Sequence, residues 1–153
     1  MKRTGSIVIN GGPVILWMIV VFVFSTEWFS SANTTPFLAP LLAKLLPAAF
    51  APRIESIVTL IRKLSHWSEY FILATLLMRA LKAELSSQSA MRRSIWSIVL
   101  ATLYAASDEF HQSFLPSRTA NPADVAIDSF GALCGTLWCH LRNRSDNSKS
   151  HRS

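Results

Sequence analysis

Acidic side chains are scarce in this sequence: 9 Asp and Glu stand against 15 Lys and Arg among 153 residues, for a net charge of +6. Charged residues of both signs make up only 16% of the chain, while half of it is hydrophobic. The positive charge gathers mostly at the two ends and in one loop, and nowhere does a basic stretch interleave with aromatics. That distribution argues against a nucleic-acid surface and fits charge flanking membrane spans. Cysteine is nearly absent. Cys134 and Cys139 lie five residues apart, so on a helix they face different directions and read as small apolar packing residues rather than a disulfide. No internal repeat is present, and the length suits one domain.

Long hydrophobic blocks are what the chain does have. A membrane-spanning helix needs about 20 mostly apolar residues at ~1.5 Å rise each. Four blocks qualify: Ile7–Thr26, Leu64–Leu81, Ser94–Gln112 and Pro122–Leu141. The first is irregular at Asn10-Gly11-Gly12-Pro13, and the third is polar at its outer end. Lys2 and Arg3 ahead of Val14–Phe24 have the look of a signal peptide, but Glu27, Trp28 and Phe29 occupy the place where cleavage wants small residues, so the block reads as an uncleaved span. Between the first two blocks lies the proline-bounded segment Pro36–Pro52. Its apolar run, Phe37–Leu46, is broken by Lys44 and too short to cross. It reads as a helix lying in the interface or capping the bundle, with a loose loop as the alternative. The expected fold is all-α: a polytopic four-transmembrane-helix bundle over residues 1–141 with a short interfacial helix between helices 1 and 2, then a disordered tail over 142–153.

Lysine and arginine placement orients this expectation. Lys2 and Arg3 precede the first block; Arg79, Lys82, Arg92 and Arg93 flank the loop between the second and third; Arg142, Arg144, Lys149 and Arg152 follow the fourth. With four spans these groups share one side, and the other holds Arg53, Arg62, Lys63 and Arg118. Both termini are therefore expected in the cytoplasm, in a multi-pass protein of the cytoplasmic membrane whose standing partner is the lipid bilayer.

Ionisable residues within the blocks carry the functional signal. An Asp at mid-bilayer costs about 2.5 kcal/mol or more, so each such group needs a partner or water. They are His66 and Glu69; Asp108, Glu109, His111 and Gln112; and Asp124 and Asp128, with Glu27 at the outer rim. Counted along ideal helices, Glu69 and Asp128 lie about 9 Å below the outer boundary and Asp108 about 8 Å below it. Three acids on three helices thus reach one level. Spacings of three or four residues place His66 with Glu69, Asp108 with His111 and Gln112, and Asp124 with Asp128 on common faces. Arg62 stands one turn above His66. Glu109 points roughly 100° away from Asp108 and reads as a cap on a neighbour.

Three motifs in order carry a family resemblance. Arg62-Lys63-Leu64-Ser65-His66-Trp67-Ser68-Glu69-Tyr70 resembles the R-K-x-x-H-x-x-E-Y motif of VanZ-like proteins. Ser107-Asp108-Glu109-Phe110-His111-Gln112-Ser113-Phe114-Leu115-Pro116-Ser117-Arg118 resembles their D-E-x-x-Q-x-x-x-P-x-R motif, and Asp124-Val125-Ala126-Ile127-Asp128-Ser129-Phe130-Gly131 their D-x-x-x-D-x-x-G motif. The resemblance implies a small multi-pass bacterial membrane protein. The family's founding member is associated with resistance to the glycopeptide teicoplanin; no established reaction comes with the resemblance.

Two chemistries suit these residues. Arg62, Lys63 and Arg118, with Glu109, Gln112 and Asp124 beside them, suit binding of an anionic lipid-linked or cell-wall ligand, arginine by paired hydrogen bonds. His66, Glu69, Asp108, His111 and Asp128 suit catalysis, either around a divalent metal such as zinc or manganese or as metal-free acid–base groups. A third reading is a polar network that only pins helices together, though interhelical hydrogen bonds in membranes average only about 0.6 kcal/mol each. Trp17, Trp28, Trp67, Trp96, Trp138 and Tyr70 read as interface anchors and core. Gly131 and Gly135 form a small-x-x-x-small pair for close packing.

Overall fold

Prolines and short polar breaks cut the chain into five α-helices: α1 Lys2–Phe24, α2 Ser31–Leu45, α3 Ile54–Glu84, α4 Ala90–Gln112 and α5 Pro122–Ser150. The computed structural model describes the backbone of residues 2–116 and 121–150, and the side chains of residues 9–116 and 121–143. Single 3-10 turns, Glu27–Phe29 and Ala48–Arg53, flank α2. No strand occurs among the described residues.

Local chemistry sets the ends. Pro52 ends the turn before α3, and Glu55 places a carboxylate in that helix's first turn, where the helix dipole favours it. Ser89 caps α4 by accepting from the Arg92 amide at 3.3 Å. Asn121 does the same for α5, accepting from the Ala123 amide at 3.1 Å, with Pro122 in the first helical position. Arg93 clamps the α3–α4 turn by donating to the carbonyls of Leu85 and Gln88.

The four apolar blocks fall on α1, α3, α4 and α5, but three boundaries move. α3 begins at Ile54, ten residues before Leu64, and so carries Arg62 and Lys63 on the helix itself. The segment expected over Phe37–Leu46 is a helix that starts earlier, at Ser31, and holds Pro36 and Pro40. α5 stays helical to Ser150, so Leu141 is not a break in secondary structure. By length and composition no single helix among the described residues is apolar enough to cross a membrane; a bent pair, Ile9–Phe24 with Glu27–Leu45 at 64°, is. The ionic residues of α3, α4 and α5 dilute the apolar runs that contain them.

α3 is the axis of the bundle and packs against every other helix. Its partnership with α5 is the closest. A β-carbon added at Gly131 would run into the backbone carbonyl of Trp67, and one at Gly135 into that of Phe71. The two helices run in the same direction, because α4 carries the chain back between them. Small residues make the centre: Ala74, Ala101, Ala105 and Ala132 are fully buried around Tyr70 and Leu73. A hydroxyl relay crosses three helices, with Thr136 and Ser97 at 3.2 Å and Ser97 donating to the Ala74 carbonyl at 3.1 Å. α1 is tied on by Trp17, whose indole donates to the Glu69 carbonyl at 2.9 Å, and by Tyr104, which donates to the Met18 carbonyl at 2.6 Å. The outside carries large apolar side chains: Ile15, Leu16, Leu103 and Phe130 are each about 60% exposed.

Candidate functional site

Parallel packing of α3 on α5 sets an ion pair and, one turn along, a histidine facing a carboxylate beyond hydrogen-bond distance. Lys63 Nζ stands 4.0 Å from Asp124 Oδ1, and His66 Nδ1 stands 3.7 Å from Asp128 Oδ1. The three-residue step on α3 meets the four-residue step on α5, and the next matched position down is Trp67 over Gly131. Close packing and charge pairing are thus one register.

α4 brings a second polar group. Gln112 donates through Nε2 both to Asp108 Oδ2, at 2.9 Å, and to the Ser25 hydroxyl of α1, at 2.5 Å. Asp108 and Asp128 are 95% and 97% buried, yet Asp108 Oδ1 and Asp128 Oδ1 have no hydrogen-bond partner. The hydroxyl of Tyr70, wholly buried beside these carboxylates, also has none. Buried polar atoms without partners are costly, about 1–3 kcal/mol each, and three together mark a place built for something other than packing.

Two clefts open on this cluster and share Arg62 and His66. The first, about 340 Å³, runs between α1, α2 and α3. Its wall is apolar at Trp17, Phe24, Phe29, Leu38, Ile61 and Ile72, and ionic at Arg62, His66, Glu69 and Asp108. The second, about 400 Å³, lies on the other side of α2 and reaches Gln112 and Asp124. α2 divides them: Thr34 and Leu38 face the first, Ser31 and Thr35 the second. Arg62 is held at the divide by donating to the Thr34 hydroxyl at 3.4 Å. Burial draws the Arg62 proton affinity down and the charge of Asp124 opposes it; a guanidinium keeps its charge under such a pull.

The sequence-derived residues do not all converge. His66, Glu69, Asp108, Gln112, Asp124, Asp128, Arg62 and Lys63 lie at the clefts or in the pairs beside them. His111 does not: it turns toward α1 and packs on Phe22 with ring centroids 5.0 Å apart. Three residues past Asp108 is 60° round the helix, enough to face another neighbour. Glu109 accepts from the Asn121 amide and serves the α4–α5 connection. Glu27 sits in the turn before α2, where its carbonyl accepts from Asn33 at 2.7 Å. Arg118 lies outside the described residues. Among the described residues no three His, Cys, Asp or Glu side chains are grouped to hold a metal, so the five candidate ligands do not form a metal centre as arranged. Sequence reasoning left out Trp17, Ser25 and Thr34, which come from α1 and α2, where no motif pointed. Tyr70 was in a motif, but its aromatic character suggested only an anchor.

Fold and site together define an all-helical protein with a shared ionic cluster between its helices, open to clefts of contrasting polarity. The chain belongs to the VanZ/LLP1 family, whose model matches residues 12–143. Neither a curated protein nor a solved structure gives a match.

Proposed function

We propose that this chain is a bacterial cytoplasmic-membrane protein that binds the anionic headgroup of a lipid-linked or cell-envelope ligand at the outer leaflet. The observation that carries the reading is the first cleft, whose wall passes from aromatic and aliphatic side chains to Arg62 and His66. An amphiphile presents the same sequence of chemistries.

α1, α3, α4 and α5 cross the bilayer in this reading, with both termini in the cytoplasm. Exposed Ile15, Leu16, Leu103 and Phe130 then face lipid rather than water. At 31 residues α3 is about 46 Å long, against a hydrocarbon core of about 30 Å. Its first turns, with Arg62 and Lys63, stand among the headgroups, and α2 lies over them.

Arg62→Ala tests it. Charge-assisted hydrogen bonds are worth about 1.5–3 kcal/mol, so this substitution should weaken binding of a long-chain alkyl phosphate roughly 10- to 100-fold in titrations of purified protein. Unchanged affinity would sink the proposal. A link to glycopeptide resistance belongs to the same reading: expression in a sensitive host should raise teicoplanin tolerance, and the Arg62→Ala protein should not.

One observation favours a second reading, an enzyme on the same class of ligand. Asp128 Oδ1 stands 3.7 Å from His66 Nδ1 while His66 lines both clefts, so a small approach of the two would give a base with its orienting acid. General-base catalysis typically contributes 10²–10⁴-fold. Turnover of a lipid-linked phosphate ester that falls by about that factor in His66→Ala, with binding retained, would establish it; no turnover by the wild-type protein would dismiss it.

A further inference from the structure

The second cleft has a chemistry of its own, and nothing in the family membership accounts for it. Of the nine side chains that line it, only Val58 is apolar. The cleft is far less apolar than the first. What it offers a ligand is the hydroxyl groups of Ser31 and Thr35 and the carboxylates of Glu55 and Asp124, while the Thr59 hydroxyl already donates to the Glu55 carbonyl and the Gln112 amide nitrogen to Asp108 and Ser25. Hydroxyls and amides both donate and accept, and carboxylates accept strongly. A polyhydroxylated neutral group, which donates and accepts at every carbon, answers that set. The volume, about 400 Å³, lies within the range of small-molecule pockets, roughly 300–1,000 Å³.

The two clefts meet at Arg62 and His66, the side chains common to both. Three chemical zones therefore follow one another: apolar wall, cationic junction, hydroxyl-and-carboxylate chamber. Zones in that order match one molecule. We infer that the ligand is a glycosylated lipid phosphate, with its chain in the first cleft, its phosphate at Arg62 and His66, and a sugar in the second cleft under α2. This rests on the proposed headgroup binding and goes beyond it by naming the part of the ligand that confers preference. Buried Asp108, with its unpartnered Oδ1, also lines the first cleft.

The test compares three phosphodiesters that share an octyl chain and a single negative charge on phosphorus: octyl methyl phosphate, octyl glucosyl phosphate and octyl phosphoethanolamine. Each is titrated calorimetrically into full-length protein in phosphatidylcholine nanodiscs. The glucosyl diester should bind at least tenfold more tightly than the methyl diester. Ser31→Ala with Thr35→Val, which removes two hydroxyls and no charge, should bring the two within about twofold of each other, and the variant's melting temperature checks that it is folded. Equal wild-type affinity for the methyl and glucosyl diesters overturns the sugar chamber and leaves headgroup binding standing. Tightest binding of the ethanolamine diester overturns it in favour of a cationic group between Glu55 and Asp124. Binding of none of the three overturns both the inference and the proposal beneath it.

Discussion

Gly131→Ala should lower the melting temperature of the purified protein by roughly 2–12 °C. The added methyl has no room: it meets the backbone carbonyl of Trp67, and a carbonyl within a helix cannot swing aside as a side-chain tip can. α3 and α5 must move apart along the whole length they share, including at Gly135 over Phe71. Overpacking a tight contact costs typically 1–3 kcal/mol, and in a chain of this size each kilocalorie is worth about 2–4 °C. Gly11→Ala and Gly12→Ala are the controls. A β-carbon at either position meets nothing within 4 Å, so they should leave the melting temperature unchanged or raise it through better helix propensity. A Gly131→Ala protein that melts with the wild type would mean that α3 and α5 do not pack as described.

Tyr70 should separate packing from polarity. Its ring is wholly buried at the centre of the core, 6.2 Å from the ring of Tyr104, so Tyr70→Ala opens a large cavity. Removing a buried aromatic costs about 3–5 kcal/mol. Tyr70→Phe keeps the ring and removes only the hydroxyl. That hydroxyl is buried without a hydrogen-bond partner, so its loss should be neutral or should stabilise the protein by up to about 1–3 kcal/mol. Thermal melts of the two variants beside the wild type check both signs. A Tyr70→Phe protein that melts much lower would show that the hydroxyl is satisfied. One that is stable but binds alkyl phosphate more weakly would place the hydroxyl on the ligand.

The helices were legible where apolar runs are unbroken and illegible where polarity is mixed. Ile54–Lys63 interrupts its aliphatic residues with Glu55, Ser56, Thr59, Arg62 and Lys63, which hides the first turns of α3 from a search for hydrophobic blocks. α2 was read as starting at Phe37 because Ser31–Thr35 is polar, yet those residues form its first turns. The site was legible where two helices run parallel with matched steps. Spacings of three and four put His66 with Glu69 and Asp124 with Asp128 on common faces, and the packing of α3 on α5 then sets Lys63 and His66 opposite Asp124 and Asp128. His111 was misplaced because a three-residue step leaves a 60° turn that sequence cannot assign to one neighbour or another. The contributions of α1 and α2, from Trp17, Ser25 and Thr34, depend on which helix lies beside α3, and spacing along one helix says nothing of that.

Asp124 and Asp128 share a face of α5 with Gly131 and Gly135, the residues that seat that helix against α3. A slip of one residue along α5 would turn both carboxylates about 100° away from Lys63 and His66. The acidic wall therefore cannot adjust without unseating the bundle. α2 is the opposite case: none of its residues is buried, and little is lost when it shifts. The clefts thus have a fixed wall on one side and a yielding cover on the other, and accommodation to ligands of different size falls to the cover.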